Sequence, residues 1–295
     1  MSVAPLLHVA ARVIITTDPP MWPPILVENL TGQGLRLDWQ VDKMRGPDPD
    51  SVSLTIYNLA TVSRALLSAA WAAFAPTIIS LYIGWGGLPE LVFKGDAWHM
   101  VPERVEGTDI ITTIQARDGG LALRDTPPSG STGFSLGVQL AVAQILGQMG
   151  LTPSSTAMAA IALAAGENPV AATIQHIDAD EPREALDILL ASVGLAWGIA
   201  DGMFVVYRGG LRNDVLPAIL APQSGLLNWR VADDGGVEFE ALAQAAVVPG
   251  CQVTINGPTG EVIGGGPLRI DEIRFGGSTE GLSTMTGVAR KVVLL

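Results

Sequence analysis

Cysteine is almost absent from this chain of 295 residues: Cys251 is the only one. A single cysteine excludes an intramolecular disulfide framework and any cysteine-based metal cluster. It lies in the alternating run Cys251, Val253, Ile255, where a small apolar residue packs into a core rather than acting as a reactive thiol. Charge is scarce too. Charged residues make up 16% of the chain and hydrophobic ones 48%, against roughly 25% charged in an average soluble domain. A surface so poor in charge predicts that other subunits cover much of it, although a single large apolar-cored enzyme fits the composition as well. Basic runs are missing altogether, and the net charge is −12. That argues against sequence-specific nucleic-acid binding and against adhesion to anionic membranes. An acidic surface repels DNA, which suits a pore lining but equally suits simple solubility.

Targeting and membrane signals are also lacking. The start, MSVAPLLHVAARVII, has no basic segment before its apolar part, and Arg12 interrupts the run, so no signal peptide is expected. The apolar stretch Ala69 to Trp85 is broken by Pro76, Thr77 and Ser80, and Ala157 to Ala165 is far too short to cross a bilayer. A soluble protein is expected. Aromatics are few at 5%, while 34 glycines and 20 prolines favour many short strands with tight turns over a helix bundle.

The most informative stretch runs from Leu35 to Leu67. Leu35, Leu37, Trp39 and Val41 alternate on one face of a strand, and a stiff polar loop with Pro47 and Pro49 follows. Val52, Leu54 and Ile56 mark a second strand that leads directly into an amphipathic helix. Around it, strands are predicted at Val9 to Thr17, Ile25 to Asn29, Leu35 to Lys43, Ser51 to Tyr57, Ile79 to Trp85, Leu91 to Met100 and Ile110 to Ala116. The one helix here, Thr61 to Phe74, is expected to bury Val62, Leu66, Ala70 and Phe74, and Pro76 stops it. One helix among about seven strands predicts a small barrel with the helix plugging an open side.

The segment DTPPSGSTG, Asp125 to Gly133, reads as a linker. Beyond it, Leu136 to Met149 is helical and apolar nearly all round, so burial is expected. Thr152 to Pro169 is Ala-rich and fits a short helix or a loop. Asp180-Glu181-Pro182 marks a helix start with an acidic cap, with Ala185, Leu186, Leu189, Leu190 and Val193 facing inward and Gly194 closing it. Asp201-Gly202 between alternating runs is a hairpin signal. After Leu211 strands return: Val237 and Phe239 precede a short apolar helix or turn at Ala241 to Val248. A Gly-rich reversal then runs from Asn256 to Gly266, and a bulge is expected near Asp271-Glu272. The layout of Gly95 to Ala116 echoes that of Gly266 to Ala289: a Gly-started strand, a turn, a Thr-rich strand. Together these predict an α+β, mainly β chain, with two antiparallel β-barrel domains (1–128 and 211–295) flanking a small α+β insert (129–210).

Candidate chemistry is thin. Gly260 to Gly266 resembles a phosphate loop, but no Gly-Lys-Ser/Thr and no helix follow, so a hairpin loop is expected. Asp178, Asp180, Glu181 and Glu184 could form a paired-carboxylate site, yet capping and the helix dipole account for two of them. His8, His99 and His176 have no ligand spacing, no Gly-x-Ser-x-Gly elbow exists, and Asp118-Gly119-Gly120 reads as a strand-ending turn that needs no calcium. Trp39, Trp85, Trp98, Trp197 and Trp229 read as core or interface anchors. No catalytic, cofactor-binding or metal-binding residue is assigned, and no cofactor is expected.

Several passages, in matching order along the chain, resemble the central baseplate hub proteins of tailed bacteriophages. They are LRLDWQVDK and SVSLTIYNL (with Tyr57-Asn58-Leu59 between strand and helix), then LVFKGDAWHM, GTDIITTIQARDGG and LAWGIADGMFVVYRGG. SGLLNW, GVEFEALAQAAVVPGCQVTI and LRIDEIRFGGSTEGLSTMTGVA complete the set. The resemblance implies a non-enzymatic structural protein of the virion, at the tail baseplate: a homotrimeric ring whose two tube-like barrels per copy present six to the hexameric tail tube. The opposite face would hold the trimeric central spike around an axial channel for DNA. Implied partners are the spike, the tail tube or a tube-initiator protein, and also the tape-measure and baseplate wedge proteins. Tailocins, gene-transfer particles and type VI secretion spikes carry similar hubs; a contractile phage tail is the first expectation. The alternatives are a tail-associated cell-wall hydrolase using acidic residues and a host-receptor-binding tail module.

Overall fold

The computed structural model describes residues 9–85, 88–125, 137–169, 179 and 181–292. The chain begins with β1 (Val9–Thr17), β2 (Ile25–Asn29), β3 (Leu37–Met44) and β4 (Ser51–Tyr57). Next come α1 (Thr61–Ala72), β5 (Thr77–Trp85), β6 (Glu90–Glu106), β7 (Asp109–Arg117) and α2 (Gly120–Asp125). The middle holds α3 (Val138–Met149), β8 (Thr152–Pro153), α4 (Ala157–Glu167), α5 (Pro182–Ser192), β9 (Leu195–Ala200) and β10 (Met203–Arg208). The last part holds β11 (Leu211–Arg212), β12 (Ala218–Leu220), β13 (Leu226–Val231), β14 (Val237–Leu242), β15 (Gln252–Asn256), β16 (Val262–Ser278) and β17 (Ser283–Lys291). The mainly β, α+β class is as expected, and no described helix is long and apolar enough to cross a membrane.

Period-two patterning makes these strands. In β3, Leu37, Trp39 and Val41 are buried, while Asp38, Gln40 and Asp42 face away from the core. In β4, Val52, Leu54 and Ile56 point inward between Ser51, Ser53 and Thr55. Leu54 and Ile56 are fully buried, and each such side chain contributes roughly 1.5–3 kcal/mol.

Thirteen strands join into one sheet, along the path β13-β14-β17-β16-β3-β4-β7-β6-β5-β1-β2, with β15 on β16 and β12 on β15. Two runs in it share one order: β3-β4-β7-β6-β5 and β13-β14-β17-β16-β15. Both β6 and β16 are 17 residues long, and both β7 and β17 are nine. One register break falls at equivalent places, at Trp98 opposite Ala116 and Gln115 in one run and at Asp271 opposite Ala289 and Val288 in the other, while β6 breaks a second time between Val101 and Arg104, where β16 stays regular. The echo expected from the glycines and threonines is therefore real, and so is the bulge near Asp271. A second echo went unread: Leu37-Asp38-Trp39-Gln40-Val41 and Leu227-Asn228-Trp229-Arg230-Val231. Trp39 lies opposite Leu54, and Trp229 opposite Phe239. The two runs are joined by β16 pairing with β3, Glu272 opposite Met44 through Ser278 opposite Asp38. One contiguous core lies under both.

A separate core is built from α3, α4, α5, β9 and β10, and β10 centres a small sheet with β8, β9 and β11. The inward residues expected on α5 are all buried. Asp201 and Gly202 both take positive φ, 55° and 79°, as a two-residue hairpin turn requires.

Several expectations are corrected. The buried face of α1 is Arg64, Leu67 and Ala70; Val62 is 73% and Phe74 93% exposed. Steps of four drift about 40° each around a helix, so the predicted set leaves the core side. Arg64 holds the inward position because its guanidinium donates to the Leu59 carbonyl, to Thr61 Oγ1 at 3.2 Å and to Glu103 at 3.1 Å. α3 leaves Leu140 59% exposed rather than being buried all round. Thr152 to Pro169 does contain a helix, α4. Ala241 and Leu242 end β14 as strand residues, because they pair with Met285 and Thr284. The reversal after Asn256 is shorter than expected: β16 already starts at Val262, and Gly264 to Gly266 lie within it with no helix after them. Glu181 caps α5 by backbone geometry alone, with no side-chain bond. The linker beyond Asp125 lies outside the described residues.

Candidate functional site: a buried charge junction and a polar sheet face

In β3 the fourth inward position falls to a lysine. Lys43 is 2% exposed, and its ammonium donates to Asp201 Oδ1 at 2.9 Å. Asp201 comes from the β9–β10 turn, so this bond ties the second core to the large sheet. Asp50, in the loop before β4, accepts the Met44 N–H at 3.0 Å. The Asp118 N–H donates to the Asp50 carbonyl at 2.9 Å, and Asp118 Oδ1 accepts the Gly202 N–H at 2.6 Å. Asp118 was expected to be only a turn residue; it is fully buried, and its Oδ2 has no partner.

Electrostatics follow from that crowding. Burial works against the Lys43 ammonium, but the charges of Asp201 and Asp50 outweigh it and raise its pKa above the ordinary lysine value. Burial lifts Asp50 from 3.8 to about 7, with Lys43 pulling the other way. Burial, then the neighbouring Asp50 and Asp201 charges, hold Asp118 well above the usual carboxylate range. Close backbone approach completes the contact. A Cβ at Gly198 of β9 would stand 2.4 Å from the Gly46 carbonyl oxygen, so only glycine fits there. Lys43, Asp50 and Asp118 are buried and the Asp201 side chain is 20% exposed, and the bond between Lys43 and Asp201 fixes the second core against the sheet.

A second junction gathers at the β16 bulge. Asp271 accepts from Arg269 at 2.7 Å and from Arg45 at 3.2 Å, with Arg290 at 3.5 Å. Arg45 also donates its N–H to the Asp271 carbonyl at 2.9 Å, linking the two sheet runs beyond their strand pairing. Burial would raise the Asp271 carboxyl, but Arg269 and then Arg45 keep it below its ordinary value.

The face of the sheet turned away from the core is polar. On one run it forms a groove of about 640 Å³, lined among others by Asp42, Arg230, Glu238, Glu240, Glu272 and Arg274. Arg230 pairs with Glu238 at 2.5 Å, and Arg274 with Asp42. Both arginines are thus engaged, and the acids outnumber them. On the other run the same face carries Ser51, Ser53, Thr55, Thr113 and Gln115, by strand register.

The other candidates do not assemble into a site. Glu184 lies in the first turn of α5, where its charge suits the dipole, while Asp178, Asp180, His8 and His176 lie outside the described residues. His99 packs its ring edge against Trp71 and lies beside Trp98. Among the described residues no group of three His, Cys, Asp or Glu is placed to hold a metal. Cys251 is fully buried, as its neighbours implied. Trp39 and Trp197 are core residues, Trp85 donates to the Ala243 carbonyl at 3.0 Å across the two runs, and Trp98 is 47% exposed. The Lys43 cluster was missed because its members are 158 residues apart at the extreme. The one available signal was a lysine at a core-facing strand position.

Neither a family profile nor a curated protein matches the sequence. Solved structures do share the fold. A tail protein from Neisseria meningitidis MC58 aligns with a TM-score of 0.57 at 12% identity, covering 95% of this chain and 96% of that one. The 43 kDa tail protein of prophage MuSo2 from Shewanella oneidensis gives 0.59 at 13%, covering 95% and 98%. The E. coli c3393 protein, a type VI secretion component described as similar to T4 bacteriophage tail proteins gp27 and gp5, gives 0.56 at 8%, covering 95% and 77%. At these identities the likeness is one of fold.

Proposed function

We propose that this protein is the structural baseplate hub of a phage tail or related injection machine. It works as a homotrimeric ring that adapts a sixfold tail tube to a threefold central spike. The observation that carries this reading is the doubled strand order, two equivalent runs set side by side in one sheet. Three copies would then offer six equivalent strand sets to a hexameric tube, which a chain with one run could not do. The fold shared with phage tail proteins supports the same setting. In this reading residues 129–210 are an insert outside the repeat, and the hub sits in the virion at the tail baseplate.

The outward sheet face would line the channel. The groove on that face carries more acids than arginines, and Arg230 and Arg274 are each held by a carboxylate, so DNA would meet a net negative surface there and pass without sticking. No catalytic group or cofactor is invoked, because the buried carboxylates are structural. Native mass measurement of the purified protein, alone and with the spike protein of the same particle, tests the reading. A trimer that binds the spike is expected. A stable monomer indifferent to spike and tube would overturn the hub, and turnover of peptidoglycan lost on Glu184→Gln would favour the hydrolase instead.

A further inference from the structure

The two cores are separate bodies on one chain. Among the described residues no buried side chain belongs to both, and no strand of the small sheet pairs with the large one. At the join, Ala200, Val205 and Tyr207 form a small apolar cluster of their own. Most of what crosses it is polar. The Lys43 ammonium donates to Asp201, the Gly202 N–H donates to Asp118 Oδ1, and Arg183 of α5 reaches Asp48 at 3.1 Å. The chain enters the second body through Gly119, at φ 62°, because Ala122 and Leu123 of α2 already pack against that core. It leaves after β11, where the Arg212 N–H is bound to the Gly250 carbonyl at 3.0 Å. Parting the bodies between these two points would unfold neither.

Charge decides whether the join holds. Asp50 and Asp118 lie at it, 3% and 0% exposed. With both protonated, Lys43 and Asp201 cancel and the join is neutral. With both ionised, three carboxylates face one ammonium, and Asp118 Oδ2 would carry charge with no hydrogen-bond donor to meet it. A buried charge left in that state is costly. The groups around the two acids do not relieve it. Arg212 of β11 is held by Asp214 at 2.7 Å, and Arg45 by Asp271 at 3.2 Å. Tyr207 of β10 keeps its proton, since burial pushes it up to about 12. Lys94 of β6, beside Gly202, is exposed to solvent that screens it.

We infer that this junction is a proton-operated latch: the second core is held on the sheet while Asp50 and Asp118 carry protons, and swings off when they ionise. The latch is independent of the hub reading. Its sign follows from burial, which lifts Asp50 to about 7 and Asp118 well above the usual carboxylate range in the closed state. The open state releases both protons at ordinary carboxylate pH, so opening grows as pH rises. Asp50 alone multiplies the opening constant about 30-fold between pH 5.5 and 8, and Asp118 adds to that.

Hydrogen exchange on the whole protein reads the opening, each rate divided by the intrinsic rate at its pH. The Gly202 amide is shielded across the join by Asp118. Its opening constant should rise at least about 30-fold from pH 5.5 to 8. At each pH it should exceed those of Leu54 and Leu189, one in each core, by about tenfold or more, with a weaker urea dependence. In D50N/D118N, where asparagine keeps both acceptors and cannot ionise, the rise should vanish. A Gly202 amide whose opening stays flat with pH, occurs only together with both cores, or rises as steeply in the double variant overturns the latch. If the variant does not fold, the first two outcomes on the unmodified protein still decide it.

Discussion

Asp50 gives the sharpest test of the buried junction, because its environment predicts a pH dependence of definite sign. Burial raises its carboxyl from 3.8 to about 7 in the folded protein. The folded state therefore holds a proton there that the unfolded chain has already released between pH 3.8 and 7. Its contribution to stability is fully present below 3.8 and is lost as pH rises through about 7. The whole span is worth about 4 kcal/mol, at roughly 1.4 kcal/mol for each tenfold change in proton affinity. Asp38, Asp214 and Asp271 are held low and act in the opposite sense, losing stability as pH falls. A single profile would mix these terms, so a difference between two proteins is needed. Asp50→Asn keeps the acceptor for the Met44 N–H and cannot ionise. Urea unfolding of both proteins from pH 5.5 to 8, above the pI of 4.6, should show their gap moving by about 2 kcal/mol in the variant's favour. A gap that stays flat within about 0.5 kcal/mol would mean that Asp50 titrates as an ordinary carboxyl, and the argument for a closed junction would fail.

Lys43→Met should destabilise by about 3–5 kcal/mol in the same assay, because it strands the Asp201 charge it neutralises. Adding Asp201→Asn, which tolerates the positive φ of that turn, should recover at least about 0.5 kcal/mol of this, the least coupling expected of groups in contact; simple additivity would refute the pairing. Gly198→Ala should cost about 1–3 kcal/mol by overpacking against the Gly46 carbonyl, seen as a lower urea midpoint at unchanged slope.

Much of the sheet was legible because its signals are local. Alternation alone gives β1, β2 and β4 to the residue, since each strand has one face on the core and one away from it. The Asp201-Gly202 turn was equally plain, as only such residues take both positive φ values cheaply. The α1 face was misjudged because a charged residue took a core position. No hydrophobicity pattern anticipates Arg64 under the helix start, where its guanidinium is held by a backbone carbonyl and by Glu103. The Lys43 junction was illegible for a related reason. Its four charged groups come from β3, the loop before β4, the turn after β7 and the β9–β10 turn, and each looks ordinary in its own stretch.

The doubled run shows why sequence echoes fade while strand order stays. What the geometry requires is an apolar face, a bulge and a register, and Trp98 and Asp271 occupy the two bulges with no chemistry in common. Each answers its own surroundings. Asp271 gathers Arg45, Arg269 and Arg290 at an edge already joined within the chain, whereas Trp98 stays 47% exposed with Arg117 stacked on its ring 4.8 Å away. Asp271 and Trp98 thus differ where one run meets the other and its counterpart is half exposed. The residues that agree, Trp39 with Trp229 and Val41 with Val231, lie on β3 and β13, which hold the same place in the two runs. Likeness is kept where strands in the same place turn a tryptophan to one core, and it is lost where their surroundings differ.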